Sequence, residues 1–91
     1  MDRDATYEAL MKGSNTFVSC HQEYPNLEGS VRLRFFILND GSLRSVSMIK
    51  STLEDMDFEH CIRENALTFK FPKPEPGTGY VIVEYPFFFS R

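Results

Sequence analysis

The sequence is poor in the residues and motifs that would indicate an enzyme or a nucleic-acid-binding protein. Among its 91 residues it has no tryptophan, two histidines and two cysteines. It contains no Gly-rich phosphate loop, nucleophile elbow or paired-carboxylate motif, so we predict neither an enzyme nor a bound cofactor or metal. The formal net charge is -3 and no basic block interrupts the sequence. Nucleic acid is therefore not a predicted partner, since phosphate-binding surfaces carry clustered Lys and Arg.

Long apolar runs are also missing. No stretch approaches the roughly 18 residues that a membrane-spanning helix needs. No secretory signal opens the chain, which leaves the compartment undecided. The length predicts a single domain over residues 1–91, with residues 1–4 as an added or linking segment.

Apolar and aromatic residues are plentiful by contrast. They make up 42% and 14% of the chain, and the aromatics are nine Phe and four Tyr. This composition is typical of a globular protein and predicts a core built on large rings.

The first predicted element is a helix that ends before Pro25, since the residue preceding a proline avoids the helical region. Asp4 is the predicted N-terminal cap, and Gly13 inside the helix weakens it and marks a possible break. Its apolar face repeats every three to four residues and comprises Leu10, Ser14, Phe17, Cys20 or His21, and Tyr24.

Two strands are predicted next, over residues 30–38 and 43–50. The first alternates, with Val31, Leu33, Phe35 and Ile37 on one face. Asp40-Gly41 between the two runs is typical of a hairpin turn. Leu43 is out of phase with Val46 and Met48, which predicts a bulge near Arg44-Ser45.

A second helix and a last strand complete the pattern. Thr52 and Asp55 have the spacing of a capping box at the start of this helix. Pro72 and Pro74 stop it. Its predicted buried face is Phe58, Cys61, Ile62, Asn65, Ala66 and Phe69. The last strand covers residues 80–85 and runs into the aromatic segment 86–89.

This element order predicts an α+β fold. The helix between the second and third strands returns the chain, so the third strand runs parallel to the second and pairs with the first. The result is a three-stranded antiparallel sheet of order 2-1-3 with two helices on one face. The third strand then lies at an open edge.

An open edge presents unpaired backbone N–H and C=O groups to which a partner strand can be added. We therefore predict a partner-binding site there, with a short edge covered by the chain itself as the alternative. Consecutive aromatics cannot all face one core, so at least one of the final rings is exposed or in contact with a partner, with packing on the first helix as the alternative. The predicted contact residues are Tyr80, Val81, Ile82, Val83, Glu84, Tyr85, Phe87 and Phe88.

The two cysteines, Cys20 and Cys61, lie on the predicted core faces of the two helices. A disulfide, two buried thiols and a zinc site with His21 and His60 are the alternatives. Adjacent residues on a helix point about 100° apart, which disfavours zinc. On the helix-free face, Arg32 and Arg34 are either solvated and paired with Glu84 or a docking surface for an acidic partner or peptidoglycan.

The order of these pieces resembles the TonB C-terminal superfamily, and within it the AgmX/PglI-type C-terminal domain, from about Phe17 to Phe89. The resemblance rests on a helix-borne Cys, Gly-x-Val, an alternating strand, Asp-Gly, Ser-Thr-Leu, Cys-Ile, Phe-Pro and a closing Tyr-Pro-Phe-x-Phe. Here these are Cys20, Gly29 to Val31, Arg32 to Ile37, Asp40-Gly41, Ser51 to Leu53, Cys61-Ile62, Phe71-Pro72 and Tyr85 to Phe89. His21 stands where such domains commonly carry Tyr, and Phe69 where they carry Trp.

The resemblance implies a periplasmic interaction module at the end of a protein anchored in the inner membrane. Its partner would be a protein or peptide of the periplasm or outer membrane, added as a strand to the last strand. The setting would be an energy-transduction, transport or gliding-motility machine, and an oxidising compartment favours the disulfide. The alternative function is a structural spacer, or a domain that forms a weak homodimer through its own edges.

Overall fold

The chain folds as three helices and one three-stranded sheet in residues 3–77 and 79–90, which the computed structural model describes. The strands pair antiparallel in the order β2-β1-β3, so the predicted sheet is confirmed. The elements are α1 (Arg3–Ser14), α2 (Phe17–Glu23), β1 (Gly29–Leu38), β2 (Leu43–Ser51), α3 (Met56–Ala66) and β3 (Tyr80–Phe89).

The predicted first helix is two helices, α1 and α2, separated after Ser14. Gly13 lies just before this break, and the ring of Phe69 packs against it. A Cβ at Gly13 would lie 2.6 Å from three atoms of that ring. Asp4 lies within the first turn and does not precede the helix, so the predicted cap position was wrong. Of the predicted linking segment, Arg3 and Asp4 are helical, while residues 1–2 lie outside the described residues.

The start and end of α3 also differ from the prediction. Asp55 alone is the N-cap, with its side chain accepting from Phe58 N at 2.9 Å. The hydroxyl of Thr52 instead accepts from Ser30 N at 2.9 Å, because Thr52 continues the pairing of β1 and β2. The helix ends at Ala66, so Phe69 enters the core from the segment that follows α3.

The β1–β2 pairing is interrupted twice, whereas the β1–β3 pairing is regular. The register passes over Arg44 between Phe36 and Ile37, which confirms the predicted bulge. It also passes over Ile49 between Arg32 and Leu33, where no bulge was predicted. On the other side, β1 and β3 pair over ten consecutive positions without an irregularity.

The core lies between the helices and one face of β1. Val31, Leu33, Phe35 and Ile37 are fully buried on that face, as the alternation predicts. Rings fill much of the remaining space, since Phe35 stacks on Phe69 at 5.2 Å between centroids. The other rings of this cluster are Phe17, Phe71 and Phe87.

A disulfide joins α2 to α3 through Cys20 and Cys61, whose Cα atoms are 5.9 Å apart. Asn65, the one polar residue of the predicted α3 face, donates to the carbonyl of Cys61 at 2.9 Å and to the sulfur of Cys20 at 3.2 Å. The bridge spans 41 residues. A loop of that length corresponds to about 4 kcal/mol of stabilisation in the chain-entropy account.

Candidate interaction surface at the edge of β3

Two hydrogen bonds determine which way the backbone groups of β1 point. The carbonyl of Ser30 accepts from Thr52 N at 3.0 Å, and Leu38 N donates to the carbonyl of Ser42 at 2.8 Å. Both bonds lie on the β2 side. Backbone groups alternate sides along a strand, so the even-numbered residues of β1 bond toward β2 and the odd-numbered ones toward β3.

The register then determines the direction of the groups in β3. The odd residues of β1 pair with Val81, Val83, Tyr85 and Phe87, which must bond back to β1. The alternate residues of β3 therefore direct their backbone groups away from the sheet. These outward residues are Tyr80, Ile82, Glu84, Pro86 and Phe88.

Pro86 is consistent with this direction. Proline has no N–H and is tolerated in a sheet where that position faces outward on an edge strand. Its place among the outward residues means that the β1–β3 ladder loses no bond to it. The outward edge therefore offers donors at Tyr80, Ile82 and Glu84, a gap at Pro86, and one more donor at Phe88.

The side chains of β3 alternate with the backbone groups. The outward residues place theirs on the helix-free face, where Tyr80 is 54% exposed and Ile82 48%. Of the final rings, Phe87 is buried against Phe17 at 5.1 Å between centroids. Phe88 is 78% exposed. Both predicted alternatives for these rings thus occur, at adjacent residues.

An apolar groove of about 670 Å³ borders the second half of β3 on the helix side. Its walls are α1, α2 and the strand itself, and Tyr7 and Val18 at its rim are half exposed. The sequence did not reveal this groove, because Tyr7 and Val18 fall outside the predicted apolar face of the first helix. Other lining residues are Met11, His21, Tyr85, Phe87 and Phe89.

Tyr7 and Tyr85 meet at the rim of this groove with their rings edge to face, 6.2 Å between centroids. The pKa of Tyr85 is raised, mainly by desolvation and to a smaller extent by a hydrogen bond and a charge interaction with Tyr7. The Tyr85 phenol is consequently neutral at physiological pH, and it presents a ring and a hydroxyl to any group that enters the groove.

The helix-free face carries the cross-strand ion pairs expected from the sequence. Arg34 donates through Nε and Nη2 to Oε2 of Glu84 at 3.1 and 2.9 Å. Arg32 Nη1 lies 3.9 Å from Oε1 of the same carboxylate. All three side chains are more than one-third exposed, so each pair stabilises the fold by roughly a few tenths of a kcal/mol.

The histidines and the cysteines make different contacts. His21 Nε2 lies 3.4 Å from the carbonyl oxygen of Leu27, and His60 Nε2 lies 3.5 Å from Glu64 Oε1 on the exposed side of α3. Both cysteine sulfurs are used in the disulfide. Among residues 3–77 and 79–90, no group of three metal-ligating side chains comes together, and no helix is long and apolar enough to cross a membrane.

The chain is similar to known proteins in its structure. No protein-family model and no curated protein matches the sequence. Solved structures do match. The fold is that of TonB C-terminal domains.

Two of these structures are TonB C-terminal domains of Helicobacter pylori. For residues 194–285 the identity is 27% and the TM-score 0.61, covering 90% of this chain and 92% of that one. For residues 179–285 the values are 28% and 0.62, covering 92% and 81%. The Pseudomonas aeruginosa TonB C-terminal domain, at 22% identity and TM-score 0.55 over 76% and 71% of the chains, shares the fold.

Proposed function

We propose that this chain is a periplasmic protein-interaction domain, not an enzyme, that binds an extended segment of a partner protein as a fourth strand on β3. The observation that carries the proposal is the outer edge of that strand. It is ten residues long, regularly paired on its inner side, and directs the donors of Tyr80, Ile82 and Glu84 outward. A regular edge of this kind is a template for a further strand.

The structural similarity to TonB C-terminal domains supports a role in the cell envelope. The disulfide agrees with an oxidising compartment such as the periplasm. We infer that the domain ends a protein anchored in the inner membrane and contacts its partner there or at the outer membrane. The AgmX/PglI-like motifs favour a motility or transport machine within that setting, beside energy transduction as in TonB itself.

In this proposal residues 80–85 supply the main-chain pairing, and Pro86 limits its length. Alternate side chains of the added strand would face the helix side, toward the groove rimmed by Tyr7 and Tyr85. Phe88 adds an exposed ring on the opposite face. Phe87 contributes only as part of the groove floor, since it is 6% exposed.

The experiment is site-specific photocrosslinking in the native host, with a photoreactive residue replacing Ile82 on the β3 edge. Ile49 on the β2 edge is the matched control, because the two isoleucines are 48% and 42% exposed. We expect one envelope protein to be crosslinked from Ile82 and not from Ile49. Pairing is then checked on the purified complex by amide exchange at residues 80–85.

A purified complex in which the amides of residues 80–85 exchange as in the free domain would contradict strand addition. Equal crosslinking from both isoleucines would contradict selective use of the β3 edge. Neither result would contradict the fold described above, because both experiments report on the edge of β3 and not on the packing of the core.

A second candidate, a self-associating spacer, uses the same exposed edge. Two copies could pair their β3 edges antiparallel about a two-fold axis, bringing Tyr80 and Ile82 of each copy into the interface. Sedimentation over a hundredfold concentration range distinguishes the two functions. A dimer that forms without any partner, and that dissociates when the β3 edge is blocked, would favour the spacer.

A further inference from the structure

The charges of the sheet are concentrated on its helix-free face. The chain contains thirteen acidic and ten basic residues, yet four basic side chains and one carboxylate make up all the charged residues of the three strands. They are Arg32, Arg34, Arg44, Lys50 and Glu84. Four of them face away from the helices because they lie on, or pair with, the even-numbered residues of β1. The fifth, Arg44, contacts the ring of Phe36 on the same face. This face is therefore positive on a chain whose net charge is -3.

The spacing of the cations matches that of an extended chain. Arg32 and Arg34 are alternate residues of β1, so their side chains leave the sheet about 6.6 Å apart. Alternate side chains of any extended peptide have the same spacing. Lys50 lies opposite Arg32 in the β1–β2 register, which places two cations at one end of the row.

The face already receives a carboxylate. Arg34 binds Glu84 through Nε and Nη2, which leaves its Nη1 group for a second carboxylate. Arg32 is only loosely held, at 3.9 Å from that carboxylate. Lys50 makes no ion pair with the described residues. Arg32 and Lys50 are thus exposed cations with donors available for a carboxylate, and they lie beside the Arg34–Glu84 pair, in which a carboxylate is bound.

An aromatic row lies next to this basic row. Phe36 stacks on Tyr80 at 4.7 Å between ring centroids, and the guanidinium of Arg44 lies 5.2 Å from the Phe36 ring. Ile82 continues the row with nearly half of its surface exposed. The row lies beside the cations and provides an apolar contact for the backbone and the inward-facing side chains of a bound segment.

We propose that the helix-free face of the sheet binds an extended, acidic segment of a partner protein, with alternate carboxylates at Arg32–Lys50 and at Arg34. Charge complementarity and the alternate-residue spacing determine this choice of occupant. The surface is distinct from the outer edge of β3, because its cations are side chains of β1 and β2 and it uses none of the outward backbone donors. The proposal therefore stands or fails independently of strand addition.

The test uses a synthetic octapeptide of alternating Glu and Thr, titrated at low ionic strength into the domain and followed by NMR. We expect shifts at the Nε–H groups of Arg32 and Arg34 and a dissociation constant on the order of 1 mM. The double variant Arg32→Glu/Lys50→Glu is expected to bind about tenfold more weakly, since two exposed ion pairs are reversed. Raising the salt to 0.5 M should abolish binding.

The matched control is Arg63→Glu/Lys70→Glu, which makes the same charge change at exposed positions outside the sheet. It should bind the peptide within twofold of the natural sequence, allowing for the long-range charge change. If the sheet variant does not fold, Arg32→Gln/Lys50→Gln replaces it, with about a threefold expected loss. Equal losses in the sheet and control variants would overturn the proposal, because they would show attraction to net charge alone.

Two other outcomes would also overturn it. If Ile82→Pro abolishes peptide binding while Arg32→Glu/Lys50→Glu does not, the peptide occupies the β3 edge. If vesicles of phosphatidylglycerol bind with the predicted variant dependence and the peptide produces no shifts up to 10 mM, the face docks on a membrane surface. Failure of strand addition alone would change none of the expected peptide results.

Discussion

The two outer edges of the sheet differ in regularity and in charge. The β2 edge is interrupted by bulges at Arg44 and Ile49 and also carries Lys50. The β3 edge is paired to β1 over ten positions without a break, and its only charged side chain is Glu84. Bulges and exposed cations are the usual means by which proteins prevent a strand edge from pairing.

The difference indicates that one edge is protected and the other is left available. A domain that only needed to stay monomeric would gain from protecting both edges, since each is equally able to aggregate. Here protection is present on β2, while β3 has the regular backbone and exposed apolar side chains that pairing requires. The comparison can be tested by altering either edge.

The largest expected effect separates inward from outward positions of β3. Val83→Pro removes a bond to β1 in the centre of the ladder and should destabilise the domain by about 3 kcal/mol or more. Ile82→Pro removes an outward donor and should change the free energy of unfolding by less than about 1 kcal/mol. Chemical denaturation measures both. Similar destabilisation by the two substitutions would show that the direction of the backbone groups is assigned incorrectly.

The next effect separates the two faces of β3. Phe87→Ala empties a buried ring site and should lower the unfolding free energy by about 3 kcal/mol. Phe88→Ala removes a ring that is 78% exposed and should change it by less than about 0.5 kcal/mol. Thermal unfolding of both variants checks this. A large loss from Phe88→Ala would mean that this ring is covered in the isolated domain.

Deleting Ile49 should make the β2 edge more like the β3 edge, since it removes one of the two bulges. Met48 and Lys50 already occupy opposite faces on either side of the bulge, so removing the extra residue preserves the register while straightening β2. We expect a stability change of about 1 kcal/mol and self-association that the natural sequence does not show at the same concentration. Sedimentation measures it.

The matched control is deletion of Gly77, where an added Cβ would have no neighbour within 4 Å. That variant should remain as monomeric as the natural sequence. A monomeric Ile49 deletion would show that the bulge is not what protects the β2 edge.

The smallest expected effect concerns the ion pair that connects β1 to the β3 edge. A double-mutant cycle with Arg34→Ala and Glu84→Ala should give a coupling energy of a few tenths of a kcal/mol, because both side chains are more than one-third exposed. The coupling should decrease further at 1 M salt. A coupling above about 1.5 kcal/mol would mean that this pair, and not the ladder, holds β3 in place.

The sequence predicted the sheet and its edge because each depends on short-range patterns. Alternation in residues 30–38, the Asp40-Gly41 turn and the long return through α3 are sufficient for the order β2-β1-β3. The bulge at Arg44 was visible because Leu43 is out of phase. The bulge at Ile49 was not predicted, because Ile49 and Met48 are both apolar and their order does not show which of them faces the core.

Features that depend on packing between distant segments were not predicted. The periodicity predicts Phe69 on the face of α3, yet the helix ends at Ala66 and the ring reaches Gly13 of α1 from a non-helical segment. The groove beside β3 is lined by both α1 and α2, and Tyr7 of α1 meets Tyr85 of β3 at its rim. Local periodicity carries no information about either arrangement.

The most direct test of the central claim is residue-resolved amide exchange of β3 in the free domain and in the complex with the crosslinked partner. In the free domain Val81, Val83 and Tyr85 should be protected and Tyr80, Ile82 and Glu84 should exchange rapidly. In the complex the second set should become protected while the amides of β2 do not change. Protection of all six amides in the free monomer, or no gain at Ile82 in the complex, would contradict the account.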